Sequence, residues 1–434
     1  MIVAQLSQQV SQECPLCALV SKRKHWLRVE KCANYILTEL EILADKRARS
    51  VQLFQSEDNR MKDLRIVLCT GIDKTSKLKV LQAAKAVGAN YRGGVSLHVY
   101  DFWQTLQEVA QEKGKVGKRE TITQLPPREL ESLRELTCYR IGEKFGDEIA
   151  NEQKRAKHVA VVVTRTIAPS PSGFIRTLDR THQVFDAEAC ISIIDNVERM
   201  QNNLASDSVW GPLRFSKEEV LLRRQDEIAN TEDWSNATSG VGKHFVLAVN
   251  EPPETLLGLL FPCVVGQEAN RRVYISFPIT HADEELKKKK QEFVARLRQR
   301  YVVFDPWSIT EYDVALSEYK EAKQPEDIDS ATKWLEKLGP VTVDNDYRLI
   351  SQSDEIVVFY PSTRVKVQNS GGDWVDAEQK VLSAGVIAEM IHAKNEQRAV
   401  RALWLSEQMP SPFFFRYCDS PIFKTEEEFF KRLG

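Results

Sequence analysis

After a polar start, the chain carries two successive series of alternating apolar runs and helical segments. Residues up to about 60 are polar and helix-prone; between Ala33 and Ala48 the spacing of Tyr35, Leu37, Leu40 and Leu43 predicts one apolar helical face. From Leu64 the rhythm changes. Residues 64–70 predict a buried strand ending at Gly71, residues 76–87 a helix, and residues 95–100, 159–164 and 244–250 further strands separated by helical stretches. Continuous apolar runs spaced by helices are the mark of βαβ units, which build a mainly parallel sheet covered on both faces. A second series begins at 273–277, continues through a strongly charged helix at 283–300, and adds strands at 301–304, 355–360 and 400–405. The Lys287–Lys290 run in that helix reads as a solvated face. Between the series, Pro262, Gly266, Gln267 and the Arg271-Arg272 pair mark a junction at 262–272. The expected class is therefore α/β, with two three-layer domains at 62–266 and 270–434 and a helical extension at 1–61.

Composition narrows the partners. A chain of 434 residues exceeds one ordinary core. Its 60 basic and 62 acidic residues nearly cancel to a formal charge of −2, so no global basic field marks a nucleic-acid binder. There is no apolar run of the roughly 18 residues a membrane helix needs and no basic-then-apolar leader, so a soluble, cytoplasmic protein is expected. Eight scattered cysteines favour reduced thiols over a disulfide framework. The one local cluster is Cys14, Cys17, His25 and Cys32, which lacks the second close ligand pair of a structural zinc site. Free cysteines are the plainer reading, with zinc left open.

The turn after the first strand is where a phosphate-binding loop belongs. Gly71-Ile72-Asp73-Lys74-Thr75-Ser76-Lys77-Leu78 has the length and the lysine of G-x-x-x-x-G-K-[ST]. It departs twice: Ser76 replaces the second glycine, and Leu78 replaces the hydroxyl that would hold magnesium. Together with the Val95–Asp101 strand, the Leu125-Pro126-Pro127-Arg128-Glu129-Leu130 segment and the strand at 159–164, this region resembles the archaeal type of adenylate kinase and related P-loop nucleoside monophosphate kinases. The resemblance implies a nucleotide at Gly71 and Lys77. Thr164-Arg165 stand where such kinases carry acidic or histidine residues, so a degenerate nucleotide-binding, regulatory or scaffold domain is expected rather than a working kinase.

Near the C-terminus, Ser383-Ala384-Gly385-Val386-Ile387-Ala388-Glu389 sets a hydroxyl, a glycine and a carboxylate at helical spacing, roughly 9 Å from first to last along the axis. Alone it is equally a plain helix with a small buried face. It follows Tyr274 on the first strand, the polar turn after Phe304, and the entry Asp346-x-Arg348 with Ser353-Asp354. In that order these pieces resemble the nucleoside deoxyribosyltransferase superfamily, including its deoxynucleoside monophosphate N-hydrolases. The resemblance implies cleavage of the N-glycosidic bond of a nucleotide or nucleoside without a cofactor. Glu389 would be the nucleophile, and Asp354, with a raised pKa, the acid toward the leaving base. Tyr274 would hold Glu389, or pack as a rim aromatic. Ser383 and Gly385 would contact phosphate, with His281 and Arg348 as further substrate contacts; Arg348 pairing with Asp346 or Asp354 is the structural alternative. Pro278-Ile279-Thr280-His281 replaces the family's basic, glycine-rich turn, and the polar insertion at 363–376 has no counterpart in the shortest members. Water as acceptor gives an N-hydrolase and a second base gives a transferase. By analogy, a homo-oligomer or larger complex is expected, and a hydrolase joined to a sensor-like domain suits a nucleotide-depleting effector of antiviral defence.

Overall fold

A computed structural model describes residues 65–433, apart from 73, 92–93, 117–121, 123–124, 152–156, 171–172, 179, 207–209, 261–270, 279–283, 362–363, 369–373, 379–382, 408 and 420. The extension at 1–61 with its cysteine cluster, and His281, lie outside the described residues.

The first series folds into β1 (Arg65–Thr70), α1 (Lys74–Gly88), β2 (Val95–Asp101), α2 (Phe102–Glu112), α3 (Pro127–Asn151) and β3 (Lys157–Val163). A hairpin of β4 (Ile167–Ser170) and β5 (Gly173–Arg176) intervenes before β6 (Ala189–Ile194), α4 (Val197–Ser206), α5 (Lys217–Thr238), β7 (His244–Ala248) and α6 (Pro253–Leu260). Five strands form one sheet in the order β2-β3-β1-β6-β7, and every pairing is parallel. Side-chain alternation explains the unbroken apolar runs: Val67 and Cys69 enter one core cluster while Ile66 and Leu68 enter another across the sheet.

The second series gives β8 (Arg272–Ser276), α7 (Glu284–Arg298), β9 (Val302–Phe304), α8 (Glu311–Glu321), α9 (Pro325–Ser351), β10 (Glu355–Tyr360), α10 (Ala384–Asn395) and β13 (Ala399–Trp404). Between β10 and α10 stands an antiparallel hairpin of β11 (Arg364–Gln368) and β12 (Trp374–Glu378), in the stretch expected to be an insertion. The chain closes with α11 (Pro412–Tyr417) and α12 (Glu426–Leu433). The second sheet runs β13-β10-β8-β9, again all parallel. The chain leaves β8 toward β9 on one side and returns to β10 on the other, so the carboxyl ends of β8 and β10 flank a topological switch point.

The α/β class with mainly parallel sheets is thus the observed architecture. Both sheets lie in one compact unit of residues 63–434. A single apolar cluster runs from Val67, Leu81 and Leu257 of the first series to Tyr274, Ile356 and Met390 of the second. Strand β6 and the β4–β5 hairpin were not among the expected strands, and two residues also depart from the sequence reading. Arg272, placed in a junction, is the first residue of β8. Lys290, placed on a solvated face, is 1% exposed and forms an ion pair with Asp305, because the α7 face that carries Phe293 and Leu297 also carries Lys290 inward.

Candidate active site

The site begins with alternation on β8. Tyr274 and Ser276 share one face of the strand, and α10 lies over that face. Ser383 starts α10: its backbone is extended and its hydroxyl accepts a 3.4 Å hydrogen bond from the Val386 amide, a side-chain N-cap. Val386, Met390 and Ala393 form the buried stripe of the helix and set its rotation. Glu389, beside that stripe, therefore reaches β8. Tyr274 Oη donates to Glu389 Oε1 at 3.0 Å and Ser276 Oγ donates to Oε2. Both carboxylate oxygens are held.

Asp346 approaches the same group from the last turns of α9, where Leu349 and Ile350 pack into the shared core. Its carboxyl group interacts electrostatically with Tyr274 and with the charge of Glu389. Burial pushes the Glu389 carboxyl up to about 7, against the opposing pull of the Ser276 and Tyr274 hydroxyls. Asp346 is raised well above the carboxylate range, first by burial and then by Glu389, with Tyr274 opposing. Burial and the same two acids also raise Tyr274, so its hydroxyl keeps its proton. Two buried carboxyl groups whose charges interact resist ionising together. No protein-family model and no curated protein matches the chain. The chemistry of the site therefore rests on its own geometry.

Asp354 stands elsewhere. It precedes β10 and faces the first residue of β8: its carboxylate accepts from the Arg272 amide at 2.8 Å and from the guanidinium at 3.2 and 2.6 Å. This is the amino edge of a parallel sheet, and Ser276 lies four residues along β8, about 13 Å away at strand rise. Burial alone would raise the Asp354 pKa, but the bonds from Arg272 outweigh it and hold the carboxyl below its usual value. The raised pKa expected for Asp354 is thus reversed. Asp346, eight residues earlier, has the required property.

The remaining candidates divide in the same way. Arg348 pairs with Glu232 of α5 at 2.8 Å, rather than with Asp346 or Asp354. Gly385 is exposed, and a Cβ there would touch only the Ser383 hydroxyl at 3.6 Å. Ser383 caps and Gly385 opens the helix that carries Glu389, nearly two turns and about one turn before it. His281 lies outside the described residues. Ser276 is, with Asp346, a site residue that the sequence reading missed. Its signal was a hydroxyl two positions after Tyr274 in an otherwise apolar strand.

In the first sheet, Lys77 is 2% exposed and its amine donates to the carbonyls of Gly71 and, at 2.7 Å, Thr164. Burial lowers its pKa, with Glu227 opposing. Glu227 in turn accepts from the amides of Gly71 at 3.2 Å and Thr166 at 2.8 Å. Gly71 takes a φ of +137°, and a Cβ there would come within 2.5 Å of the Ile193 carbonyl, so only glycine fits this turn. In this arrangement the lysine that would meet a phosphate serves the strand ends instead. Among the described residues, no group of three or more His, Cys, Asp or Glu is arranged to hold a metal ion, and no helix is long and apolar enough to cross a membrane.

Proposed function

We propose that the chain cleaves the N-glycosidic bond of a nucleotide or nucleoside at the carboxyl end of β8. The reading is supported above all by Glu389, whose two oxygens are held by the Tyr274 and Ser276 hydroxyls, with Asp346 close enough to feel its charge. Glycosidic cleavage needs one ionised carboxylate and one protonated carboxyl group side by side, and environments that push two acids apart supply that division. In this reading Glu389, raised to about 7, serves as the ionised nucleophile, and Asp346, raised by burial and by the Glu389 charge, as the proton donor.

The steps follow from these states. Glu389 attacks the anomeric carbon as the carbon–nitrogen bond breaks, and the bonding pair leaves on the base nitrogen. Asp346 gives that nitrogen its proton. The resulting glycosyl ester on Glu389 is opened by water, whose proton returns to Asp346, or by the nitrogen of a second base. Tyr274 and Ser276 fix the attacking carboxylate and keep its charge tolerable before reaction. Within this reading the first sheet is a regulatory, nucleotide-binding or scaffold body; the carbonyl-bound state of Lys77 favours scaffold.

The test is incubation of wild type, Glu389→Ala and Asp346→Asn with a panel of ribo- and deoxyribonucleosides, their phosphates and NAD, followed by chromatography of free base. Release by wild type, with a loss of at least about 10³-fold in Glu389→Ala, is the expected result. Equal release from wild type and Glu389→Ala would sink the proposal.

A further inference from the structure

Asp346 and Glu389 arrive on different helices, so their approach depends on how α9 is fastened to α10. One residue beyond Asp346, Tyr347 lays its ring flat against that of His392, three residues beyond Glu389; the centroids are 4.0 Å apart and the planes 6° apart. One turn further along α9, the Ser351 hydroxyl lies 3.2 Å from His392 Nε2. The Ser351 carbonyl accepts from Arg398 at 2.5 Å, just past the end of α10. The next residue, Gln352, brackets the edge strand of the first sheet, donating to the Val246 carbonyl and accepting from its amide, each at 2.8 Å. The end of α9 is therefore anchored on one side, and α10 is attached to it on the other.

Leu349, Ile350, Val386 and Met390, in the same apolar cluster, bring the helices together without fixing their register, because apolar packing is non-directional. A flat ring pair and an oriented hydrogen bond do fix it. Among the described residues, Tyr274 and Ser276 hold Glu389 by hydrogen bonds, and Asp346 is raised by the charge of Glu389.

We propose that the Tyr347–His392 stack, with its bond to Ser351, is the positioning clasp that sets the approach of Asp346 to Glu389. The inference rests on the glycosidase reading for its kinetic consequence, since an acid and a nucleophile must span one base–sugar bond. Tyr347 and His392 touch neither reacting carboxyl group and act through the helices that carry them.

The experiment compares wild type with Tyr347→Phe, Tyr347→Leu, His392→Leu and Ser351→Ala in the full chain. Base release is measured as separate kcat and KM values. In parallel, carbon-13-labelled carboxyl groups are titrated by NMR without substrate. Tyr347→Phe keeps a flat ring and is expected within about twofold of wild type in both measurements. Tyr347→Leu and His392→Leu are expected to lose about 10- to 100-fold in kcat with KM within about threefold. In both, the titration of Asp346 moves back toward an ordinary carboxylate. Ser351→Ala falls between and carries the test if the leucine variants do not fold. Leucine variants that retain wild-type kcat, or lose kcat while both carboxyl titrations stay unmoved, overturn the clasp. If wild type releases no base, the glycosidase reading fails while the titration arm still decides the clasp: midpoints unchanged in Tyr347→Leu reject it, and midpoints that fall support it.

Discussion

Glu389 and Asp346 are ordinary acids made unusual by where they are held. Burial raises both, and Tyr274 and Ser276 only partly offset that for Glu389. The sign of the rate's pH dependence follows. In the proposed reaction, protonation of Glu389 below about 7 blocks attack, and loss of the Asp346 proton as pH rises removes the proton the base needs. Base release is thus expected to give a bell-shaped profile of kcat/KM, with its acid limb near 7, and Asp346→Asn to remove the alkaline limb. A profile flat from pH 5 to 9 counts against the assignment. Asp354 makes the contrasting case. Its three bonds to Arg272 lie at the amino edge of the sheet, so Asp354→Asn is expected to lower stability by about 1 kcal/mol in denaturant titration while base release stays within about threefold.

At the scale of elements, most sheet strands were legible because their residues contact two helical layers at once, whereas β6, between β1 and β7, went unread. β10 spans residues 355–360, as its apolar run predicts, and β1, β2, β8, β9 and β13 differ from their predicted spans by only one or two residues at an end. α9 was among the elements left unread. Gly339-Pro340 falls inside its 27 residues and looks like a break, yet the helix continues through it, with Leu338 and Leu349 packed in two different clusters on either side. That omission hid Asp346, which looks like part of a strand approach until the helix is seen to turn it toward Tyr274. α1 gives the opposite lesson: the loop before it has the spacing of a phosphate cradle, but its lysine is drawn into the strand ends. Lys77→Met is therefore expected to leave base release within about twofold of wild type, and calorimetry to detect no ATP binding that the substitution abolishes.

At the scale of the whole molecule, the two sheets are tied by more than a shared apolar cluster. Arg224 of α5 and Glu311 of α8 form an ion pair in which both side chains are nearly fully buried, and Arg298 reaches Glu251 at 2.9 Å. Removing one member of a buried pair leaves an uncompensated charge, so Arg224→Met is expected to cost roughly 3–5 kcal/mol. Because that pair joins the two series, calorimetry on wild type should show one transition for both sheets. Two transitions, with only one displaced in Arg224→Met, would mean that the series unfold as separate bodies.

The sequence by itself determined the α/β class, the near-parallel strands and the side-chain spacing along β8 and α10, because these depend on periods of two and 3.6 residues that any window of the chain displays. It also singled out Tyr274 and Glu389. Only the tertiary structure decided which acid joins them. Asp346 and Asp354 are both carboxylates close to the same strand, and nothing local separates them. One comes off the end of a helix into a shared, desolvated cluster, and the other meets an arginine at the opposite edge of the sheet. The same holds for Lys77, whose amine would face a phosphate or the strand ends according to contacts more than eighty residues away at Thr164. Charge state and accessibility are set by neighbours distant in sequence, and they became readable once the sheets were assembled.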